Sequence, residues 1–88
     1  MQVTQTNKFS KSYKKLFPNQ LLETNDAINE IIANPEIGEQ KHGDLSWLRV
    51  YKYKCLNRLT LIGYKIENDS LTFVALGSHE NFYRDIKK

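Results

Sequence analysis

Apolar and polar residues recur along this chain with two different periods, and the change between them divides it into elements. Residues 2–9 alternate weakly and include two threonines and a valine, which predicts a first strand. Ser10 then offers an N-cap for a helix over 11–17, with Tyr13, Leu16 and Phe17 on its apolar face and Lys11, Lys14 and Lys15 around the rest. Those lysines fit either a solvated helix face or a phosphate-binding one. Pro18 breaks this helix and suits the first turn of the next, which runs to Ala33. There Leu21, Ile28, Ile31 and Ile32 repeat at helical spacing, with Glu23, Asp26 and Glu30 between them. Asn34-Pro35 closes the helix, because the residue before proline disfavours the helical region. Two helices joined by a proline turn predict a helical hairpin.

Beyond a glycine-containing connector over 35–46, the period falls to two. From Trp47 to Cys55, Trp47, Arg49, Tyr51 and Tyr53 fall on one face and Leu48, Val50, Lys52 and Lys54 on the other. Asn57-Arg58 reads as a tight turn into Leu59–Ile66, and Glu67–Ser70 as a turn into Leu71–Leu76. The result is an antiparallel three-stranded meander, with the N-terminal strand added at an edge. The fold class is therefore α+β, with helices covering one sheet face and the other partly open. Gly77 would let the chain turn off the last strand, leaving Ser78 to cap a short helix over 79–86.

The totals narrow the function without choosing one. Eighty-eight residues are expected to form a single domain, 1–88, with one modest core. Thirteen Lys and Arg against ten Asp and Glu leave a net charge of +3, which permits an anionic partner without demanding one. The lone Cys55 excludes an internal disulfide and a multi-cysteine metal site. The histidines His42 and His79 lie far apart and no His, Asp or Glu pair has a recognised ligand spacing, so no metal or cofactor is expected. The absence of a signal peptide or long apolar run points to a cytoplasmic protein with no membrane partner.

The sharpest chemical constellation is at the C-terminal end. In a helix His79 and Tyr83, four apart, project from one face, bringing an imidazole and a phenol to the point where strand passes into helix. Cleavage of a phosphodiester without metal needs a group to take the 2′-hydroxyl proton, another to protonate the leaving oxygen, and cations to steady the charge. His79 or His42, Tyr83, and Arg49 with nearby lysines are groups of these kinds. Each has a plainer reading too: Arg49 pointing to solvent, Tyr51 and Tyr53 packing in a core, and both histidines as surface residues.

Two segments, Gly43–Tyr51 and Leu76–Arg84, together with the order of elements, resemble the RelE/ParE superfamily of toxins from bacterial type II toxin–antitoxin modules. The resemblance covers essentially the whole chain and implies the RelE-like microbial RNase fold. Many members are endoribonucleases that cleave mRNA on the ribosome, without metal, and inhibit translation; others inhibit DNA gyrase. It implies a cognate antitoxin as partner, with mRNA and ribosome, or alternatively gyrase, as target. By position, Arg49 matches an arginine that contacts the scissile phosphate, and His79 matches the catalytic histidine of YafQ-like members. Tyr83 matches an aromatic that stacks on a base or joins the proton transfer. RNA-binding roles fall to Lys41, His42, Tyr51, Lys52, Lys54 and Arg84. The acidic residue and further histidines of the YafQ-like site have no clear match unless His42 stands for one, so proton transfer lies between His79 and His42.

Overall fold

The computed structural model describes residues 1–86, with the side chain of Asp85 excepted. It contains strand β1 (Gln2–Gln5), helices α1 (Asn7–Lys14) and α2 (Pro18–Ala33), and a two-residue strand β2 (Glu39–Gln40). A single 3-10 turn (Gly43–Leu45) leads into β3 (Arg49–Cys55), β4 (Arg58–Glu67), β5 (Ser70–Ser78) and helix α3 (His79–Ile86). The strands form one sheet in the order β1-β5-β4-β3-β2, in which only β1 and β5 run parallel. This is the expected α+β arrangement, with the N-terminal strand at an edge.

The first helix begins earlier than its sequence suggests. Thr6, not Ser10, is the N-cap: its hydroxyl accepts the amide proton of Phe9 at 3.2 Å and donates to the Val74 carbonyl at 2.8 Å. The strand accordingly stops at Gln5, and Phe9 becomes the buried helical anchor, stacked 5.2 Å from Phe73. Phe17, expected on the apolar face of α1, instead stands 70% exposed as the N-cap residue of α2. Its amide donates to the Gln20 side chain at 2.8 Å, and Pro18 takes the first helical turn, where no amide is needed.

Alternation in the strands divides the side chains between two cores. On one face Phe9, Ala27, Ile31, Ile62, Tyr64, Leu71, Phe73 and Leu76 pack with α1 and α2, and Tyr51 and Tyr53 join them. On the other, Leu48, Val50, Leu61 and Ala75 pack beneath Phe82 of α3, with Tyr83 and Ile86 alongside. Between Gly63 and Tyr64 the β4–β5 register slips by one residue at Val74, a bulge that lets neighbouring residues re-aim across the sheet. Gly63 itself is required. A Cβ there would stand 2.7 Å from the Phe82 ring and 3.1 Å from Leu48, so its absence is what lets α3 seat on the sheet.

The hairpin turns differ from expectation in one place. Asn68 and Asp69 form the predicted second turn, both at positive φ. The first lies at Leu56-Asn57 rather than Asn57-Arg58, with φ of 53° and 66°. Positive φ at both central residues matches the twist of a two-residue hairpin, and leucine carries it here despite its Cβ. The strand expected from Trp47 begins only at Arg49, and Trp47 sits in the preceding turn, 46% exposed.

Candidate nucleic-acid interface

Strand pairing builds a cationic patch on the α3 side of the sheet. β2 runs antiparallel to β3, with Glu39 opposite Val50 and Gln40 opposite Arg49. The Lys41 amide extends the pairing by donating to the Leu48 carbonyl at 3.0 Å. Opposed residues share a face, so Glu39 and Lys41 join Leu48, Val50, Lys52 and Lys54. α3 packs on β4 and β5 and leaves the β3–β2 margin open, where Lys52 and Lys54 are exposed.

Helix α3 brings Tyr83 to that margin. His79, Phe82, Tyr83 and Ile86 form a stripe at helical spacing, and Phe82 plugs the core at Gly63. Tyr83 meets Phe82 edge to face at 5.1 Å, and the Lys41 ammonium stands 5.4 Å from the centre of the Tyr83 ring. Lys41 also donates to the Glu39 carboxylate at 2.6 Å. That bond, and secondarily the neighbouring Tyr83, hold the Lys41 ammonium above its ordinary range. Glu39 is held below the usual carboxylate range, first by its bond with Lys41, then by the charges of Lys41 and Lys52, and more weakly by His42.

His79 opens α3 directly after β5, which continues through Gly77 to Ser78 without a left-handed residue. The sharp glycine turn expected there is therefore absent: the strand runs straight into the helix. His79 is exposed and lines a shallow recess with Arg58, Leu59, Ser78, Glu80 and Asn81, about 6 Å along the helix axis from Tyr83. His42 is exposed at the head of the 3-10 turn, on the Lys41 side of the patch. Arg84 is exposed on α3 and donates to the Asn81 side chain at 2.6 Å.

Arg49 and Tyr51 do not join this group. Arg49 lies on the α1–α2 side, where its guanidinium donates to the carbonyls of Gly38 at 2.8 Å and Glu36 at 3.2 Å. It closes the chain between α2 and β2, beside Tyr64, whose hydroxyl donates to the Pro35 carbonyl and accepts from the Gly38 amide. Tyr51 and Tyr53 stack on each other at 6.4 Å, and the Tyr53 hydroxyl is within hydrogen-bond distance, 2.9 Å, of Thr24 in α2. The alternation read from the sequence dictates this separation: Arg49, Tyr51 and Tyr53 share the face opposite Lys52 and Lys54. Sequence reasoning missed Glu39 altogether. The only signal for it was Glu-x-Lys spacing within an apparently featureless connector. Among the described residues no three His, Cys, Asp or Glu side chains converge to hold a metal ion.

The described residues thus form a five-stranded sheet with two helices on one face, and a cation-and-tyrosine patch beside a short helix on the other. The sequence profile described as ParE-like toxin of type II bacterial toxin–antitoxin systems matches residues 3–87, and the chain belongs to that family. It is a type II toxin of the RelE/ParE superfamily. Solved structures agree in fold. The toxin in the intact Escherichia coli RelBE toxin–antitoxin complex superposes with a TM-score of 0.68 at 15% identity, over 88% of this chain and 94% of that one. The isolated E. coli RelE toxin gives 0.67 at 15% identity, over 88% and 82%. A copper-bound mutant toxin from Helicobacter pylori gives 0.63 at 19% identity, over 92% and 97%. Comparison with curated proteins gives no significant match.

Proposed function

We propose that this toxin is a metal-independent endoribonuclease that binds mRNA on the α3 face of its sheet and cleaves it, inhibiting translation in the cytoplasm. The observation that carries the reading is the contact of Lys41 with Tyr83 on an open margin of the sheet whose same face also carries exposed Lys52. Lysines there would take the RNA phosphates, with Lys54 and Arg84 extending the positive surface. The 2′-hydroxyl would attack the adjacent phosphorus, forming a cyclic phosphate and expelling the 5′-oxygen of the next nucleotide. His79 is assigned the proton transfer, since an imidazole exchanges protons readily at cellular pH. Tyr83 is assigned base stacking or the second proton. Charge stabilisation passes from Arg49 to Lys41 and Lys52, because Arg49 is engaged with carbonyls on the opposite face.

The likeness to the toxin of the RelBE complex supports a cognate antitoxin as partner, expected to be a small acidic protein. A second reading, inhibition of DNA gyrase, is favoured by that same displacement of Arg49, which leaves the α3 face without the arginine the superfamily's nucleases place on the scissile phosphate. One experiment separates the two readings. Purified protein is added to a translation reaction and the mRNA ends are mapped, with gyrase supercoiling assayed in parallel. New mRNA ends with unimpaired supercoiling support the nuclease; intact mRNA with blocked supercoiling supports the alternative.

A further inference from the structure

The cationic patch contains its own anion. Glu39 and Lys41 are two apart on an extended segment and so face the same way, their charged atoms 2.6 Å apart. Lys41 is mostly covered, with 21% of its side chain exposed, whereas the Glu39 carboxylate is 66% exposed and within reach of solvent and ligand. The ammonium is thus held between a carboxylate and the Tyr83 ring. Lys52 and His42 also bear on that carboxylate. Among the described residues, the other ion pairs lie elsewhere, at Met1–Asp69 and Lys65–Glu67.

With its carboxylate open to solvent, a pair of this kind adds little to folding. Its effect on a phosphate is direct: the phosphate must displace the carboxylate from Lys41, and afterwards it lies beside a negative charge. We propose that Glu39 is a built-in competitor for the RNA phosphate, occupying Lys41 in the free protein, lowering affinity for RNA and hastening release of the cleaved strand. This rests on the nucleic-acid reading above and adds to it the residue that sets binding strength.

The test uses fluorescence anisotropy with a labelled single-stranded RNA oligomer, 2′-O-methylated throughout so that it cannot be cleaved, across a salt series. Glu39→Gln is expected to bind about three- to tenfold more tightly at low salt, because Lys41 is released to the phosphate. Its log–log salt slope should steepen by about 0.7, one further phosphate contact on a single strand. Glu39→Asp, which keeps the charge, should follow the parent, and adding Lys41→Met to Glu39→Gln should abolish the gain. Equal or weaker binding by Glu39→Gln, or a gain that survives Lys41→Met, overturns the proposal while leaving the nucleic-acid reading standing. If the parent itself does not bind the RNA, both fall together.

Discussion

Arg49 and Lys52 lie three residues apart on β3 and point to opposite sides of the sheet. Arg49 ties the α2–β2 connection together through two carbonyls, whereas Lys52 is exposed on the face where Tyr83 and Lys41 meet, near enough to Glu39 for its charge to bear on that carboxylate. Alanine at each should therefore do different things. Arg49→Ala leaves the Gly38 and Glu36 carbonyls without their charged donor and is expected to cost about 1–3 kcal/mol of stability. Thermal denaturation reads that loss, and the salt dependence of RNA binding should not change. Lys52→Ala should leave the melting temperature nearly unchanged and flatten the salt slope by about 0.7.

Gly63 fixes the position of α3. Alanine there would bring a methyl group within 2.7 Å of the Phe82 ring, which is buried, and 3.1 Å of Leu48. Gly63→Ala is expected to destabilise by about 1–3 kcal/mol, the range for overpacking a closed site. The helix should shift with it, so RNA binding should weaken even where the protein remains folded. A variant as stable as the parent, with unchanged Tyr83 resonances by NMR, would mean that α3 is held by something other than this contact.

The helix-side tyrosines make a prediction at alkaline pH. Burial pushes the Tyr53 phenol up to about 12, with its Thr24 hydrogen bond acting the other way. Burial also raises Tyr64, opposed by the Gly38 amide and by Arg49. A phenol whose value rises on folding stabilises the native state fully below its unfolded value of ~10, and loses that contribution as pH climbs to the folded value. Stability should thus fall between about pH 10 and 12. In a spectrophotometric titration these two phenols should ionise together with unfolding. Tyr53→Phe should make the decline shallower; a decline unchanged by it would assign the alkaline transition to other groups.

Much of this architecture is legible in the sequence because period alone carries it. The β3 alternation survives in the structure and places Arg49 and Lys52 on different faces. The α2 stripe survives in part: Ile31 is buried and Leu21 and Ile28 are half-buried, but Ile32 is 40% exposed, and Thr24 and Ala27 complete the buried face. Grouping Arg49 with His79 and Tyr83 drew on residue chemistry and on family position; the alternation separates Arg49 from Lys52 and Lys54, but which face α3 covers has no local signal. Other features depend on contacts between distant residues and have no local signal. Thr6 outcompetes Ser10 as a cap because its hydroxyl also reaches Val74 across the sheet. Thr24 is fully buried in the middle of α2 because Tyr53 supplies its hydroxyl with a partner. Lys41 meets Tyr83 only once β2 has paired with β3 and Phe82 has seated against Gly63.

His79 and Tyr83 are separable by their chemistry. His79→Gln should retain RNA binding and lose cleavage by about 10²–10⁴-fold, the range for removing a proton-transfer group. Tyr83→Phe keeps the ring beside Lys41 and removes only the hydroxyl, so a small effect would assign Tyr83 to stacking and a large one to proton transfer. His42→Gln should cost much less cleavage than His79→Gln. Near-parent cleavage by His79→Gln with an inactive His42→Gln would move the proton transfer to the loop histidine.

The toxin is proposed to act through the α3 face of its sheet rather than through the face that holds Arg49. The direct measurement is to map mRNA ends in a translation reaction for the parent, Lys52→Ala, Tyr83→Ala and Arg49→Ala, at a temperature where all four are folded. The parent and Arg49→Ala are expected to produce the same set of cuts, and Lys52→Ala and Tyr83→Ala few or none. Loss of the cuts in folded Arg49→Ala, with Lys52→Ala and Tyr83→Ala as active as the parent, would put the site on the other face.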